Sequence, residues 1–555
     1  MVYLLVPSVV RRPLRHVTED PFYLQAIVRF YVALGGMCVV AYLLVPGWTE
    51  WVRSFRDRWR PHYSVAMLSA VCCFLAAFIV FMGRRQFGGY DFSLMVDLGW
   101  RQFLGEQPYV DFVTSSPPGF NLGVAVADRL FGPVWESNLY LCAVFACITF
   151  LWMYWQFRAL SLGRVAALGM AFAIECSAML TLCFWWYNNT ALMLAAIFLL
   201  ACLVYARHPR SLPAQFSYFC SLLLLALMKP NIAGVTIVGG VVLLLVLAES
   251  RLGVLAWTAA AGLGAIAVLA LCHVSLPALA ASYASVAHER GGLGAKIGFR
   301  GLGFFLKTEA LLWIGLLSLP MMGLASEMAR SVRERRWKGI AFPLLLVLGL
   351  VIALYGLLTN GEFVEVECTA LLAAGAVIVF GLRLGGSRLH RVYVAVVCGA
   401  IAATLTVGAG RTRVYTIGAH MFFEWQDHDH VVEQGFLRNM HVSKTLMDVE
   451  QQVQAAAKDN PGSLFLGPRI EFNYAVLGVR SPDHLPLWWQ PGTAFARSDE
   501  ERMVRVWDEH RFATLIFLKD DFTFFSKDFL DDIARSYIRD DRYSLLTVYR
   551  RRAGT

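Results

Sequence analysis

Apolar residues along this chain come in long runs, with little strict alternation. The runs lie near 26–46, 64–82, 138–157, 164–183, 189–205, 215–228, 231–248, 252–274, 309–325, 340–358, 363–382 and 391–409. Each reaches or approaches the roughly 20 residues that a helix needs to cross a bilayer core. The pattern predicts an all-α polytopic membrane bundle of about twelve transmembrane helices. The pair flanking "MKPN" (228–231) is short. It reads either as two spans joined by a tight turn or as one long broken helix.

Two stretches depart from this pattern. In the first, 83–137, "SLMVDLGWRQFL" (93–104) has apolar positions at helical spacing. It predicts an amphipathic helix along the membrane surface, with Asp97 on its solvated face. "GEQPY" reads as a turn, and "PPGFNLGVAVADRLFGP" (117–133) as a second helix with a proline start. The second stretch is 411–555, where charged residues return and no spanning run occurs. "SLFLGP" (463–468) and "TLIFLKD" (514–520) read as buried strands. "SDEERMVRVWDEH" (498–510) reads as a helix capped by its serine, and "YSLLTVYRR" (543–551) as a final strand. The expected organisation is a membrane domain over 1–410 and a small C-terminal α/β domain over 411–555.

Charge orients the bundle. "RSFRDRWRPH" (53–62), "RALSLGR" (158–164), "RHPR" (207–210), "ARSVRERRWK" (329–338) and "RLGGSRLHR" (383–391) fall on alternate turns. The positive-inside rule puts them in the cytoplasm. The opposite, outer face then holds 83–137, the Lys229 turn, 275–308 and the C-terminal domain. Arg11, Arg12 and Arg15 land outside in this count, so 26–46 has a second reading as partly interfacial. They also follow an apolar start, the reverse of a secretory signal, so the N-terminus is read as part of the mature chain.

Of the 555 residues, 57% are hydrophobic and 16% charged, which excludes an ordinary soluble globule. The net charge of +9 is accounted for by the cytoplasmic loops, and no nucleic-acid partner is expected. The twelve cysteines all lie at or before Cys398, mostly in apolar runs, and read as small core residues rather than a disulfide framework. No P-loop, zinc CxxC pair or Rossmann fingerprint is present. In "WQDHDHVVEQ" (425–434), alternating acids and histidines on one short stretch cannot all face one ion, so no metal ligands are assigned.

Several residues carry candidate chemistry. Asp91 follows an apolar run, and Asp111 follows the turn. Asp111 also reads as an ordinary turn or helix-cap aspartate. Lys229 sits in a short turn between spans, where an ionisable group is costly and commonly functional. Arg290, Lys296, Arg300 and Lys307 lie in "HERGGLGAKIGFRGLGFFLK" (288–307), a glycine-rich stretch able to close on a phosphate. Attraction to anionic headgroups is its plainer reading. Arg84 and Arg85 read as interfacial anchors. Trp488 and Trp489, in "HLPLWWQPG" (484–492), suit either stacking on a sugar ring or resting on the bilayer interface.

The order Asp91, then Gly105, Pro108, Tyr109 and Asp111, then Pro117-Pro118, then Leu130-Phe131-Gly132 resembles the GT-C superfamily. These are polytopic glycosyltransferases that use polyprenyl-phosphate-linked sugars. "MKPN" resembles the Lys-Pro turn between later helices of such enzymes. The Asp-Glu pair of several branches is absent, because Phe92 follows Asp91, so the motif leaves the branch and the acceptor open.

The resemblance implies transfer of a hexosyl or pentosyl group, with inversion, to a hydroxyl of a glycan, lipid or protein. Asp91 would be the base and Asp111 its partner. Lys229, Arg290, Lys296 and Arg300 would meet the donor phosphate, and Tyr109, Trp488 and Trp489 the acceptor or sugar. A divalent cation, Mg or Mn, is a possible cofactor. The implied setting is a bacterial inner membrane and its lipids. The alternatives are a multi-span transporter or lipid-linked-sugar flippase, and an assembly protein whose outer domain binds a partner. A transporter would show internal repeats and midplane polar groups.

Overall fold

The computed structural model describes residues 63–84, 89–179, 183–289, 430–458, 460–519, 521 and 525–553, with isolated positions at 329, 332–334, 344 and 348. The expected spans at 26–46, 309–325, 340–358, 363–382 and 391–409 lie outside these residues. So do Arg85, Arg290, Lys296, Arg300, Lys307 and most of "WQDHDHVVEQ". The described chain forms two compact units. One takes 63–79 and 142–266, and the other 80–141, 267–289 and 430–553.

The first unit is helical. It takes α5 (Arg164–Ala178), α6 (Tyr187–Arg207), α7 (Leu212–Ala226) and α8 (Pro230–Leu247) whole, and most of α1 (Tyr63–Gly83), α4 (Trp135–Ala159) and α9 (Arg251–Leu271). Among the described residues α4, α6, α8 and α9 are long and apolar enough to cross a membrane. Their outer faces show why they need one. Val144, Ile148 and Leu151 on α4, and Val235, Val238 and Val242 on α8, are exposed at helical spacing. Water would penalise such continuous apolar stripes, and lipid does not. The chain is therefore read as an integral membrane protein.

α6 lies at the centre of this unit, buried over most of its length, and packs on α7 and α8. Side-chain hydrogen bonds pin the bundle. Gln156 on α4 donates to Ile197 O on α6 at 2.9 Å, and Trp152 donates to Ser217 Oγ on α7 at 2.8 Å. Such bonds recur between membrane helices, where apolar contact alone gives little drive to associate. The "MKPN" ambiguity resolves into two helices: α7 ends at Ala226 and α8 starts at Pro230. Proline suits that first position because its missing N–H has no helical partner there anyway.

The second unit contains α2 (Gly89–Phe103), α3 (Pro118–Phe131), α10 (Leu276–Glu289) and the C-terminal α/β part. α10 occupies the first half of the stretch expected to be an outer loop, so that part is helical. The C-terminal elements are β1 (His430–Val431), β2 (His441–Val442), α11 (Lys444–Ala457), β3 (Leu464–Leu466), α12 (Asn473–Leu477), α13 (Glu500–Glu509), β4 (Thr514–Leu518), α14 (Lys527–Ser536), β5 (Tyr537–Asp540) and β6 (Leu546–Arg551).

The four-stranded sheet has the order β3-β4-β6-β5. β3 and β4 are parallel, and the other pairings are antiparallel, with Leu515 opposite Tyr549. All five residues of β4 are buried, as a central strand covered on both faces requires. Its core is aromatic: Phe465, Trp489, Trp507, Phe517, Phe525 and Phe529. Ser443 and Ser526 cap α11 and α14 by accepting from Leu446 N and Phe529 N. The serine cap expected before α13 is not formed. A 3-10 turn, Arg497–Asp499, leads into that helix instead.

Candidate active site

α2 places the first candidate. Asp91 is its third residue, in the first turn, where unpaired backbone N–H groups favour negative charge. The Asp91 side chain lies outside the described part. The apolar spacing that predicts α2 holds, but the expected solvated face does not. Ser93, Leu94, Met95, Val96, Asp97 and Leu98 are all buried. Asp97 is fully buried, correcting its reading as a solvated residue. Ion pairing makes this burial tolerable. Arg101 Nε donates to Asp97 Oδ2 at 2.8 Å, and Ser481 donates its hydroxyl to Asp97 Oδ1.

A buried polar network grows from this pair. Arg101 also reaches Glu106 Oε2 at 3.1 Å and Pro482 O at 2.9 Å, and Arg480 donates to Glu106 Oε1 at 3.0 Å. Burial alone would lower the Arg101 guanidinium, but Asp97 and Glu106 beside it more than reverse this, so the net direction is up. Nearer the start of α2, Ser93 Oγ donates to Glu471 Oε2 at 2.5 Å and accepts from Phe472 N at 3.0 Å. Burial pushes the Glu471 carboxyl up to about 8, so it is mostly protonated at neutral pH. A cavity of about 20 Å³, room for about one water, is lined by Asp97, Arg101, Glu471, Tyr474 and Trp488.

The turn after α2 explains the next candidates. Gly105 and Tyr109 both take positive φ, +94° and +71°. Asp111 Oδ2 accepts from Gln107 N at 2.7 Å, and Asp111 N donates to Gln107 O at 2.9 Å. That is the turn role open to an aspartate at this place. Tyr109 OH donates to Ser116 O at 2.5 Å and accepts from Asn121 Nδ2 at 3.0 Å. Its hydroxyl is thus engaged by the loop and by the start of α3. The loop is stitched to the C-terminal part by Val113 N to Leu485 O at 3.1 Å, Leu487 N to Val113 O at 2.8 Å, and Ser115 Oγ to Thr493 O at 2.9 Å.

The two tryptophans diverge. Trp489 is 3% exposed and stacks on Phe529 and Phe525, at 4.8 and 5.7 Å between ring centroids. Neither a sugar ring nor the bilayer can use its faces, which corrects the expectation for this residue. Trp488 is half-buried, with its indole N–H donating to Gln490 Oε1. Arg84 is likewise no free anchor. It pairs with the buried Glu136 at 2.5 Å, and its carbonyl accepts from His441 N.

In the first unit, Lys229 precedes α8, and its Nζ donates to Asn188 Oδ1 at 2.7 Å and lies 5.2 Å from the Tyr187 ring centroid. Tyr187 and Asn188 open α6, so the ammonium stands where two helices begin, a setting that favours an anion. Among the described residues no group of three or more His, Cys, Asp or Glu is placed to hold a metal ion.

Sequence reading did not single out Ser93, Arg101, Glu106, Glu471 or Ser481. A signal existed for Arg101: it lies four residues after Asp97, the spacing of an ion pair on one helix face. Glu471 and Ser481 carry no local signal.

No protein-family model matches the chain, and no curated protein matches it. The solved structures similar to it include two of ArnT. ArnT from Cupriavidus metallidurans in the apo state is 12% identical, with a TM-score of 0.45, over 87% of this chain and 97% of that one. ArnT from the same organism bound to undecaprenyl phosphate is 14% identical, with a TM-score of 0.44, over 89% and 99%. A likeness of this size does not carry residue roles across.

Proposed function

We propose that this protein is an integral-membrane glycosyltransferase of the GT-C type. It would move a hexosyl or pentosyl group from a polyprenyl-phosphate carrier to a hydroxyl of a glycan, lipid or protein. The setting would be the periplasmic face of a bacterial inner membrane. One observation carries the reading. Asp91 stands in the first turn of a helix that follows directly on the apolar α1, and a buried polar network fixes that helix. A base for a lipid-borne substrate belongs beside a membrane-inserted segment on a rigid element.

The chemistry follows from charge and proton flow. The acceptor hydroxyl attacks the anomeric carbon as its proton passes to the Asp91 carboxylate. The bond from that carbon to the phosphate oxygen breaks, and the electron pair leaves with the polyprenyl phosphate. Attack opposite the leaving group inverts the centre, as in inverting glycosidases. The departing phosphate needs cations. From the sequence, Lys229, Arg290, Lys296 and Arg300 are assigned that role. Asp111 shapes the turn that separates α2 from α3, and Trp488 remains the candidate for sugar stacking.

The test is transfer by purified full-length protein in nanodiscs, with radiolabelled undecaprenyl-phosphate-linked hexose and pentose donors and bacterial envelope extract as acceptor. Wild type should release undecaprenyl phosphate and label an acceptor, and Asp91→Asn should not. Full activity in Asp91→Asn would remove the proposed base. Movement of the intact donor across the bilayer without transfer would favour a flippase.

A further inference from the structure

We infer that Glu471 and Ser93, together with Ser481 on Asp97, act as positioning residues for the N-terminal turn of α2, so that the C-terminal domain sets where Asp91 stands. This inference rests on the proposed function for the role of Asp91. The clamp itself stands on geometry.

The contacts lie along one face of α2. Ser93, Asp97, Trp100 and Arg101 follow the i, i+4, i+7 and i+8 spacing that lines up one side of a helix. Each bonds to one short stretch of the C-terminal domain. Ser93 meets Glu471 and Phe472 N, Asp97 meets Ser481, Trp100 Nε1 donates to Val479 O at 2.8 Å, and Arg101 donates to Pro482 O. The partners all fall within 471–482, although more than 370 residues separate them from α2 in the chain.

Apolar packing alone would hold α2 but allow it to slide or turn, because dispersion is non-directional. Buried hydrogen bonds have preferred distances and angles, so several on one face leave a single register. Ser93 is the clamp nearest the start of the helix. Its hydroxyl is used twice, as donor to Glu471 and as acceptor from Phe472 N. Asp91 is two residues before it, on the same helical turn. A carboxylate acting as base has to meet its proton within a few tenths of an ångström, and a 1 Å displacement costs about 100-fold in rate.

Burial favours the neutral form of the Glu471 carboxyl, and the nearby Asp97 charge pushes the same way. A glutamine, neutral and of the same shape, should therefore substitute, whereas alanine should not.

The experiment compares Ser93→Ala, Glu471→Ala and Glu471→Gln with wild type in nanodiscs. Phe529→Leu, a change in the aromatic core on α14, serves as a stability control. Two quantities are read: kcat and KM for donor turnover, and amide hydrogen exchange over residues 93–98. Ser93→Ala and Glu471→Ala should lower kcat about 10- to 100-fold with KM within about twofold, and speed exchange at 93–98. Glu471→Gln should stay within about threefold of wild type in both. Phe529→Leu should lower Tm without that kcat loss.

Unchanged exchange at 93–98 in the alanine variants would overturn the clamp. Faster exchange with kcat no lower than in Phe529→Leu would overturn its positioning role. If wild type turns over no donor, the proposed function falls, and the exchange result alone then decides the clamp.

Discussion

Arg101 Nε lies 2.8 Å from Asp97 Oδ2 one helical turn back, and the two side chains are 3% and 0% exposed. An ion pair so deeply buried stands or falls as a unit. Removing the guanidinium leaves the buried Asp97 with only the Ser481 hydroxyl, while Glu106 keeps Arg480. Arg101→Met is therefore expected to destabilise the second unit by about 3–5 kcal/mol, against a smaller loss for Arg101→Lys, which keeps the charge but not the fork. Thermal unfolding in detergent followed by tryptophan fluorescence checks this. Pairing Arg101→Met with Asp97→Leu should recover part of the loss, because the orphaned charge is then gone.

Why the sequence shows one part of this network and hides the rest is a matter of range. α2, its turn and α3 are legible because apolar spacing, Gly105 and Pro118 act within a few residues. The helices between 63 and 271 are legible for the same reason. The fate of Asp97 is set by Ser481, 384 residues away, and helical periodicity carries no trace of that partner. Trp488 and Trp489 make the point within a dipeptide. Trp489 enters the aromatic core, while Trp488 packs against that same core half-buried, with its indole N–H on Gln490. Composition could not say which. In the C-terminal part, β3, β4 and β6 are legible from their apolar runs, whereas α11 and α14 are not, although both carry capping serines.

Gly99 on α2 lies close against α3. A Cβ built there would lie 2.1 Å from Asp128 Oδ2 and 2.8 Å from Val124 Cγ1. Asp128 is itself 5% exposed, so its carboxyl has little room to swing aside. Gly99→Ala should destabilise by about 1–3 kcal/mol despite alanine's better helix propensity. In Gly99→Ala with Asp128→Ala the two changes should couple, with a loss smaller than the sum. Thermal unfolding of the four proteins in a double-mutant cycle reads that coupling.

Glu450 on α11 gives a pH dependence. It is 8% exposed, and neither carboxyl oxygen has a hydrogen-bond partner among the described residues. Burial pushes the group up to about 8, with Asn473 alongside opposing the shift. Below the ordinary glutamate value both folded and unfolded chains hold the proton, and nothing is lost. As pH rises towards about 8, the unfolded chain gives up its proton while the folded one keeps it. Stability therefore falls across that window, by up to about 1.4 kcal/mol per pH unit for each such group, and levels off above it. Glu471 and Asp128 shift in the same direction. Glu450→Gln should raise Tm at pH 8, leave it nearly unchanged at pH 4, and flatten the slope between. An equal Tm gain at both pH values would show that the carboxyl does not titrate there.

Lys229 offers a prediction in the first unit that does not depend on the acceptor. Its ammonium is held by Asn188 and by the face of Tyr187, so it is already oriented before any anion arrives. A charge-assisted bond from such a group to phosphate contributes about 1.5–3 kcal/mol, so Lys229→Met should weaken undecaprenyl phosphate binding about 10- to 100-fold. Asn188→Ala should weaken it less, because the charge stays while its orientation loosens. Microscale thermophoresis in nanodiscs of neutral lipid measures both, with undecaprenol, which lacks the phosphate, as the control ligand. If the charge acts on the phosphate, undecaprenol binding is the same in wild type and Lys229→Met. An equal loss for both ligands would mean that Lys229 supports the bundle and does not meet the headgroup.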